Sequence, residues 1–204
     1  MKNVLVIDGF YKDPQKVREV ALACDWIDPS SLSNEFPGTE SKRCFYSRQL
    51  VEKLGSLIGG NVDPEPHRRS FGAFALALDA DREKKVVHVD SCDWTGIVYL
   101  TLDRDAQGGT TLFYHKRTQL NRFPTDSELE RLSYPTKRSF EEDVLVKDGK
   151  NFNAWESDIK IDMRFNRLVL FRGGHLFHAA DSYFGETPQN GRLTQLFFFR
   201  ERSQ

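Results

Sequence analysis

The stretch Val86-Val87-His88-Val89-Asp90 sets the reading of the whole chain. Side chains in a strand repeat every two residues, so this alternation sends His88 and Asp90 to one face and Val87 and Val89 to the other. The valines suit apolar packing. The imidazole and the carboxylate, side by side, make two-thirds of a metal site. The third ligand has to come from a distant part of the chain.

The flanking sequence keeps the period of two. From Ser70 on, Phe71, Ala73, Ala75 and Ala77 face one way and Gly72, Phe74, Leu76 and Leu78 the other, a strand buried on both sides. Asp79 to Lys85 alternates in charge and reads as a solvated turn. Thr95–Leu102 is expected as a strand, Asp103–Gly109 as a turn, and Thr110–Tyr114, Arg167–Phe171 and Leu193–Phe199 as further strands. Residues Arg117 to Asp162 are polar and too long for a hairpin loop, so they are expected to form an insertion, with helical pieces at Ser127–Leu132 and Ser139–Val144, that is either a lid over the site or a surface excursion.

Upstream the period changes. Val4–Ile7 is a short apolar run expected as a strand. Asp13-Pro14 opens a helix, because Asp caps well and proline is tolerated in a first turn. Val17, Val20, Ala21 and Cys24 follow at helical spacing. Trp26–Ser41, with Pro29, Pro37 and Gly38, reads as a loop. Ser47–Leu57 is a second amphipathic helix, ended by Gly59-Gly60. Helices over about residues 13–58, followed by many short strands with glycine turns, predict a mainly β domain with flanking helices: a jelly roll, or double-stranded β-helix. The 204 residues are expected to form one domain.

Composition narrows the partners. Hydrophobic residues are 39%, charged residues 29% and the net charge is −1, the profile of a globular protein with no basic stripe for nucleic acid. No apolar run reaches the roughly 18 residues that span a bilayer. Three widely spaced cysteines, Cys24, Cys44 and Cys92, read as reduced thiols. With an acid already at Asp8, these features predict a cytoplasmic protein. A homodimer stays open.

Five histidines compete for the third ligand position. His67 lies between Pro66 and Arg68 and is expected at the surface. His115 stands beside Lys116 and Arg117, which repel a cation. His175 is next to the Gly173-Gly174 turn and is expected to be solvated. His178, in Leu176-Phe177-His178-Ala179-Ala180, has the setting of a short buried strand and is preferred. Two neutral imidazoles and one carboxylate form a facial triad with open positions, a set that suits iron(II) binding a co-substrate and dioxygen together.

In this order of parts, from about Phe71 to Phe199, the sequence resembles the 2-oxoglutarate and iron(II)-dependent oxygenases, in particular the prolyl-hydroxylase-like branch. The resemblance implies iron binding by His88, Asp90 and His178. It implies that Arg192, in Gly191-Arg192-Leu193-Thr194, holds the distal carboxylate of 2-oxoglutarate, and that Tyr99, in Ile97-Val98-Tyr99-Leu100-Thr101, shares it. Gly108-Gly109-Thr110-Thr111-Leu112-Phe113 resembles the family's glycine turn and following strand, which implies that Thr111 lines the co-substrate pocket. The stretch between His178 and Arg192 is longer than in the prolyl hydroxylases. Because the carboxylate Asp90 is present, where the halogenating branch has a small residue, the resemblance implies hydroxylation, with 2-oxoglutarate converted to succinate and carbon dioxide.

The substrate is less readable. The chain's small size favours a small molecule, such as an amino acid or natural-product intermediate, over a peptide or protein side chain. Asp93 and Trp94 are candidates for the mouth, Trp155 and Arg117 lie in the insertion, and Arg69 and Arg117 are expected in solvent, with contact to a substrate carboxylate as the alternative. Two other readings compete. A cupin-like metalloenzyme without 2-oxoglutarate commonly needs three histidines and a glutamate, a set absent here. A non-catalytic jelly-roll binding protein has no reason to order His88, Asp90, His178 and Arg192 in this way.

Overall fold

The computed structural model describes residues 3–28, 37–64 and 70–202. Two antiparallel sheets face each other. The larger has the order β1 (Val4–Ile7), β8 (Leu168–Phe171), β5 (Trp94–Tyr99), β10 (Arg192–Arg202), β4 (Ala73–Ala77) and β2 (Thr39–Cys44), with β3 (Asn61–Asp63) paired to the end of β10. The smaller is β7 (Trp155–Asp162), β6 (Gly109–His115) and β9 (His178–Ala180). This is the double-stranded β-helix that the pattern of strands predicted.

The helices α1 (Pro14–Ala23) and α2 (Arg48–Ile58) cover the outer face of the large sheet. Their ends are set by local chemistry. The Asp13 carboxylate accepts from the Lys16 amide at 3.2 Å, and the Ser47 hydroxyl accepts from the Leu50 amide at the same distance. Gly59 ends α2 at φ +74°, where a Cβ is strained. Arg18 reaches inward from α1 and donates to the carbonyls of Leu100 (2.8 Å) and Gln189 (2.7 Å), tying the helix to the sheet.

Because both faces of the large sheet are covered, its central strands are apolar on both sides. On β10, Leu193, Phe197 and Phe199 pack under the helices, while Arg192, Thr194, Leu196 and Phe198 face the space between the sheets. On β5, Trp94 and Val98 pack outward; Thr95 and Ile97 face inward. A second core, with Tyr99, Leu112, Phe171 and Phe184, joins the sheets.

The structure departs from the sequence reading in three places. The loop expected over Trp26–Ser41 runs into β2, whose Thr39 and Ser41 are buried but carry no apolar signal; residues 29–36 lie outside the described ones. The turn at Asp79–Lys85 is a short 3₁₀ helix, Asp79–Lys84. The expected insertion ends early: its last eight residues are β7, an edge strand paired with β6 along most of its length, whose central residues are exposed and therefore polar. The excursion that remains contains α3 (Asp126–Arg131), α4 (Lys137–Phe140) and a π-helical turn, Glu141–Val146. It closes over its own core, in which Phe140, Phe177, Trp155 and Val87 are buried.

Candidate metal centre and its cavity

His88 and His178 meet through the backbone. The amide of each donates to the carbonyl of the other at 3.0 Å, one antiparallel hydrogen-bonded pair, and the two imidazole centroids lie 4.3 Å apart. The strand expected over residues 86–90 does not form: His88 pairs with His178 as an isolated bridge, and its neighbours belong to no ladder. Val87 on the opposite side is buried in the core under the excursion, as the alternation predicted.

Asp90 is held by the turn after β8. Its amide donates to the Gly173 carbonyl at 2.9 Å. A Cβ on Gly173 would stand 2.6 Å from Asp90 Oδ2 and collide with Thr95 Oγ1, so the close approach requires glycine here. Thr95, buried on β5, donates its hydroxyl to Asp90 Oδ2.

The three side chains converge. His178 Nε2 is 3.2 Å from Asp90 Oδ2, His88 Nε2 is 3.5 Å from Asp90 Oδ1, and one ligand atom from each residue lies within 4.8 Å of the others. Each imidazole uses its other nitrogen on a backbone carbonyl: His88 Nδ1 on Val86 at 3.1 Å, and His178 Nδ1 on Leu176 at 2.9 Å. A carbonyl only accepts, so Nδ1 carries the proton and Nε2 presents a lone pair to the common point. Burial alone would raise the Asp90 carboxyl, but the charge and hydrogen bonds of His178 and His88 outweigh it and hold the carboxyl well below the usual carboxylate range. Burial acts to lower His88, and its bond to Asp90 prevails and raises it.

These residues line a cavity of about 420 Å³ between the sheets. Arg192 lines it too and is 6% exposed. Its Nη2 donates to the Gly109 carbonyl at 3.3 Å, and its guanidinium carbon lies 5.4 Å from the Tyr99 ring centroid. Its Nη1 is buried and has no partner among the described residues. The remaining lining is largely apolar, with Ala75, Val86, Ile97, Leu196 and Phe198.

Two co-substrate residues expected from the sequence are placed differently. Thr111 does not line the cavity; its hydroxyl donates to the Asp181 carboxylate. The strand β6 begins at Gly109, and its period of two turns Thr110 inward instead, a one-residue shift of register. Tyr99 is fully buried beside Arg192, but its hydroxyl is bonded to Thr110 Oγ1 at 2.7 Å and is not part of the lining.

The other histidines fall as follows. His175 is exposed. His115 is buried away from the cavity, bonded to Thr118 at 2.9 Å and Asp148 at 3.2 Å. His67 and Arg69 lie outside the described residues. Trp94 is not at the mouth: it is buried, with Arg172 4.3 Å over its ring, and Asp93 accepts from the Glu201 amide. Arg117 is 2.8 Å from the Asp143 carboxylate. None of the described lining residues comes from residues 117–162, so no lid contact is made. Lys84, Thr95, Thr110 and Tyr183 line the cavity without having been singled out in the sequence. For Thr95 the signal was present: it opens the strand five residues after Asp90, on the face that period two turns inward.

Among the described residues, no helix is long and apolar enough to cross a membrane, and no disulfide joins any two of the three cysteines. The chain superposes on HygX from Streptomyces hygroscopicus, solved with nickel, 2-oxoglutarate and hygromycin B bound, with a TM-score of 0.51 at 14% identity, over 97% of this chain and 82% of that one. The likeness shows a shared fold. More distant likenesses are to a prolyl hydroxylase from Trichoplax adhaerens in complex with a hypoxia inducible factor peptide fragment (TM-score 0.45, 12% identity, 97% and 83% coverage) and to a Pseudomonas putida prolyl-4-hydroxylase (0.41, 13%, 98% and 94%). No curated protein sequence matches the chain. A family model matches residues 1–199, nearly the full length, and the chain therefore belongs to the family described as "Family of unknown function (DUF6445)".

Proposed function

We propose that this protein is an iron(II)- and 2-oxoglutarate-dependent oxygenase that hydroxylates an unactivated C–H bond of a small molecule. The observation that carries the reading is the convergence of His88, Asp90 and His178 in a cavity whose wall also holds a buried guanidinium with an unpaired nitrogen.

The donor set fits the metal. Two imidazole nitrogens stand 3.2 and 3.5 Å from one carboxylate, so the site gathers two nitrogen donors and a negative charge around a single point, which attracts a cation. Two nitrogens and one oxygen on one side suit iron(II) and leave positions free for other ligands. The guanidinium fits the co-substrate. A buried, unpaired N–H costs about 1–3 kcal/mol, and a carboxylate relieves it with charge-assisted bonds. In this reading His88, Asp90 and His178 hold the metal, and Arg192 holds the distal carboxylate of 2-oxoglutarate. The metal, when bound, supplies the activation of dioxygen that is coupled to oxidative decarboxylation of 2-oxoglutarate to succinate and carbon dioxide.

The chain's own residues do the positioning. The carbonyls of Val86 and Leu176 fix the imidazole tautomers, and Thr95 fixes the carboxylate rotamer. The apolar walls exclude water from the reacting bond, which protects reactive species from side reactions. The lining also bears on the substrate. Asp90 is the sole acid among the described lining residues, and Lys84 is the one cation besides Arg192 and the histidines, paired to Asp81 at 3.0 Å. A cationic substrate therefore meets no counter-charge beyond the metal ligand. A neutral or anionic molecule with an apolar body fits better.

The test is 2-oxoglutarate turnover. The iron-loaded protein should release succinate, and release should rise several-fold over the uncoupled background with a neutral or anionic member of a compound screen. Metal binding without any conversion of 2-oxoglutarate would instead indicate a jelly-roll metalloenzyme of another class.

A further inference from the structure

The long stretch between His178 and Arg192 carries a side chain to which the sequence reading gave no role. Tyr183 lines the cavity and is 9% exposed. Its hydroxyl has no hydrogen-bond partner among the described residues. Burial pushes the phenol's pKa up, with the Arg192 charge acting in the opposite direction, so at neutral pH the group is a protonated donor. The segment that holds it is pinned on both sides. The Asp181 amide donates to the Gly109 carbonyl at 3.1 Å, and Gly185, at φ +80°, accepts from the Asp79 amide at 2.9 Å. Asn190 closes the following turn by accepting from the amides of Glu186 and Thr187. Phe184 is buried in the core between the sheets, while its neighbour Tyr183 lines the cavity.

Tyr99, which the family resemblance implies as the partner of the arginine, shares its hydroxyl with Thr110, is not part of the cavity lining, and offers its ring to the guanidinium. We propose that Tyr183, rather than Tyr99, donates the phenolic hydrogen bond to the carboxylate held by Arg192. Tyr99 is then a shelf that positions Arg192, and Tyr183 is a direct co-substrate contact supplied by the lengthened segment. The inference rests on the proposed oxygenase reading.

The experiment is an anaerobic titration of 2-oxoglutarate into the iron(II)-loaded protein, followed by the visible charge-transfer band. Tyr183→Phe should weaken 2-oxoglutarate binding roughly tenfold or more, as loss of a hydrogen bond to a charged group does, with iron(II) affinity unchanged. Tyr183→Leu should show the same loss. Tyr99→Phe should change the affinity less than Tyr183→Phe does. Thermal melting checks that each variant is folded. Wild-type binding that persists unaltered in folded Tyr183→Phe, or a larger loss in Tyr99→Phe, overturns this inference alone. A wild-type protein that takes up iron(II) but no 2-oxoglutarate removes the functional reading and this inference with it.

Discussion

At the scale of single residues, the candidate centre depends on small groups that hold the ligands in place. The hydroxyl of Thr95 bonds to Asp90, and the missing side chain of Gly173 leaves room for that bond. Replacing Thr95 by valine keeps the volume and removes the donor. Partners of this kind typically contribute 10–100-fold to metal affinity, so Thr95→Val should weaken iron(II) binding by roughly tenfold, measured by competition with a chelator, with little change in melting temperature. Affinity equal to the wild type would mean that Asp90 is held well enough without the hydroxyl. This scale also marks how far the sequence could be read. His88 and Asp90 were legible because a period of two needs two residues only. Thr111 was misjudged because the pattern does not say whether β6 starts at Gly109 or Thr110, and one residue decides the face. The hydroxyl bond between Tyr99 and Thr110 could not be read, since it joins strands whose register no local pattern specifies.

At the scale of elements, α1 and α2 were legible to within a residue or two because capping is local: Asp13, Pro14, Ser47 and Gly59 each act on neighbours in sequence. Strands β2 and β7 were not, because an edge strand with polar residues on its open side carries no apolar alternation. The insertion expected over residues 117–162, as a lid or a surface excursion, packs up to residue 154 against Val87 and Val89, which flank His88. Phe140 is fully buried there, 5.3 Å from Phe123 and 5.1 Å from Tyr134, and it stacks against Phe177 at 6.4 Å. Phe140→Ala should destabilise the protein by about 3–5 kcal/mol, read as a shift in the urea midpoint. A change below about 1 kcal/mol would mean that the excursion is not part of the cooperative unit.

At the scale of the molecule, buried ionisable groups couple stability to pH. Burial pushes the His115 pKa down from its usual 6.5; the Asp148 hydrogen bond opposes this and the Arg117 charge reinforces it. The folded protein therefore binds this proton less readily than the unfolded chain. The contribution of His115 to stability is complete above about pH 6.5 and is lost as the pH falls below it. Denaturant unfolding between pH 7 and 5 should show a decline that is shallower in His115→Gln. Equal slopes in the two proteins would assign the decline to other groups. The overall architecture was legible because the two long amphipathic helices lie before Ser70 and most of the strands with a period of two lie after it. The way the sheets close around His88, Asp90, His178 and Arg192 depends on pairings such as His88 with His178, ninety residues apart in the chain.

The most direct measurement is an anaerobic titration of iron(II), then 2-oxoglutarate, into wild type, His88→Ala and Arg192→Ala. The account predicts a visible charge-transfer band in the wild type, no iron(II) uptake at this site in His88→Ala, and iron(II) uptake without the band in Arg192→Ala at the same 2-oxoglutarate concentration. An unchanged band in either variant, or no iron(II) uptake by the wild type, would contradict it.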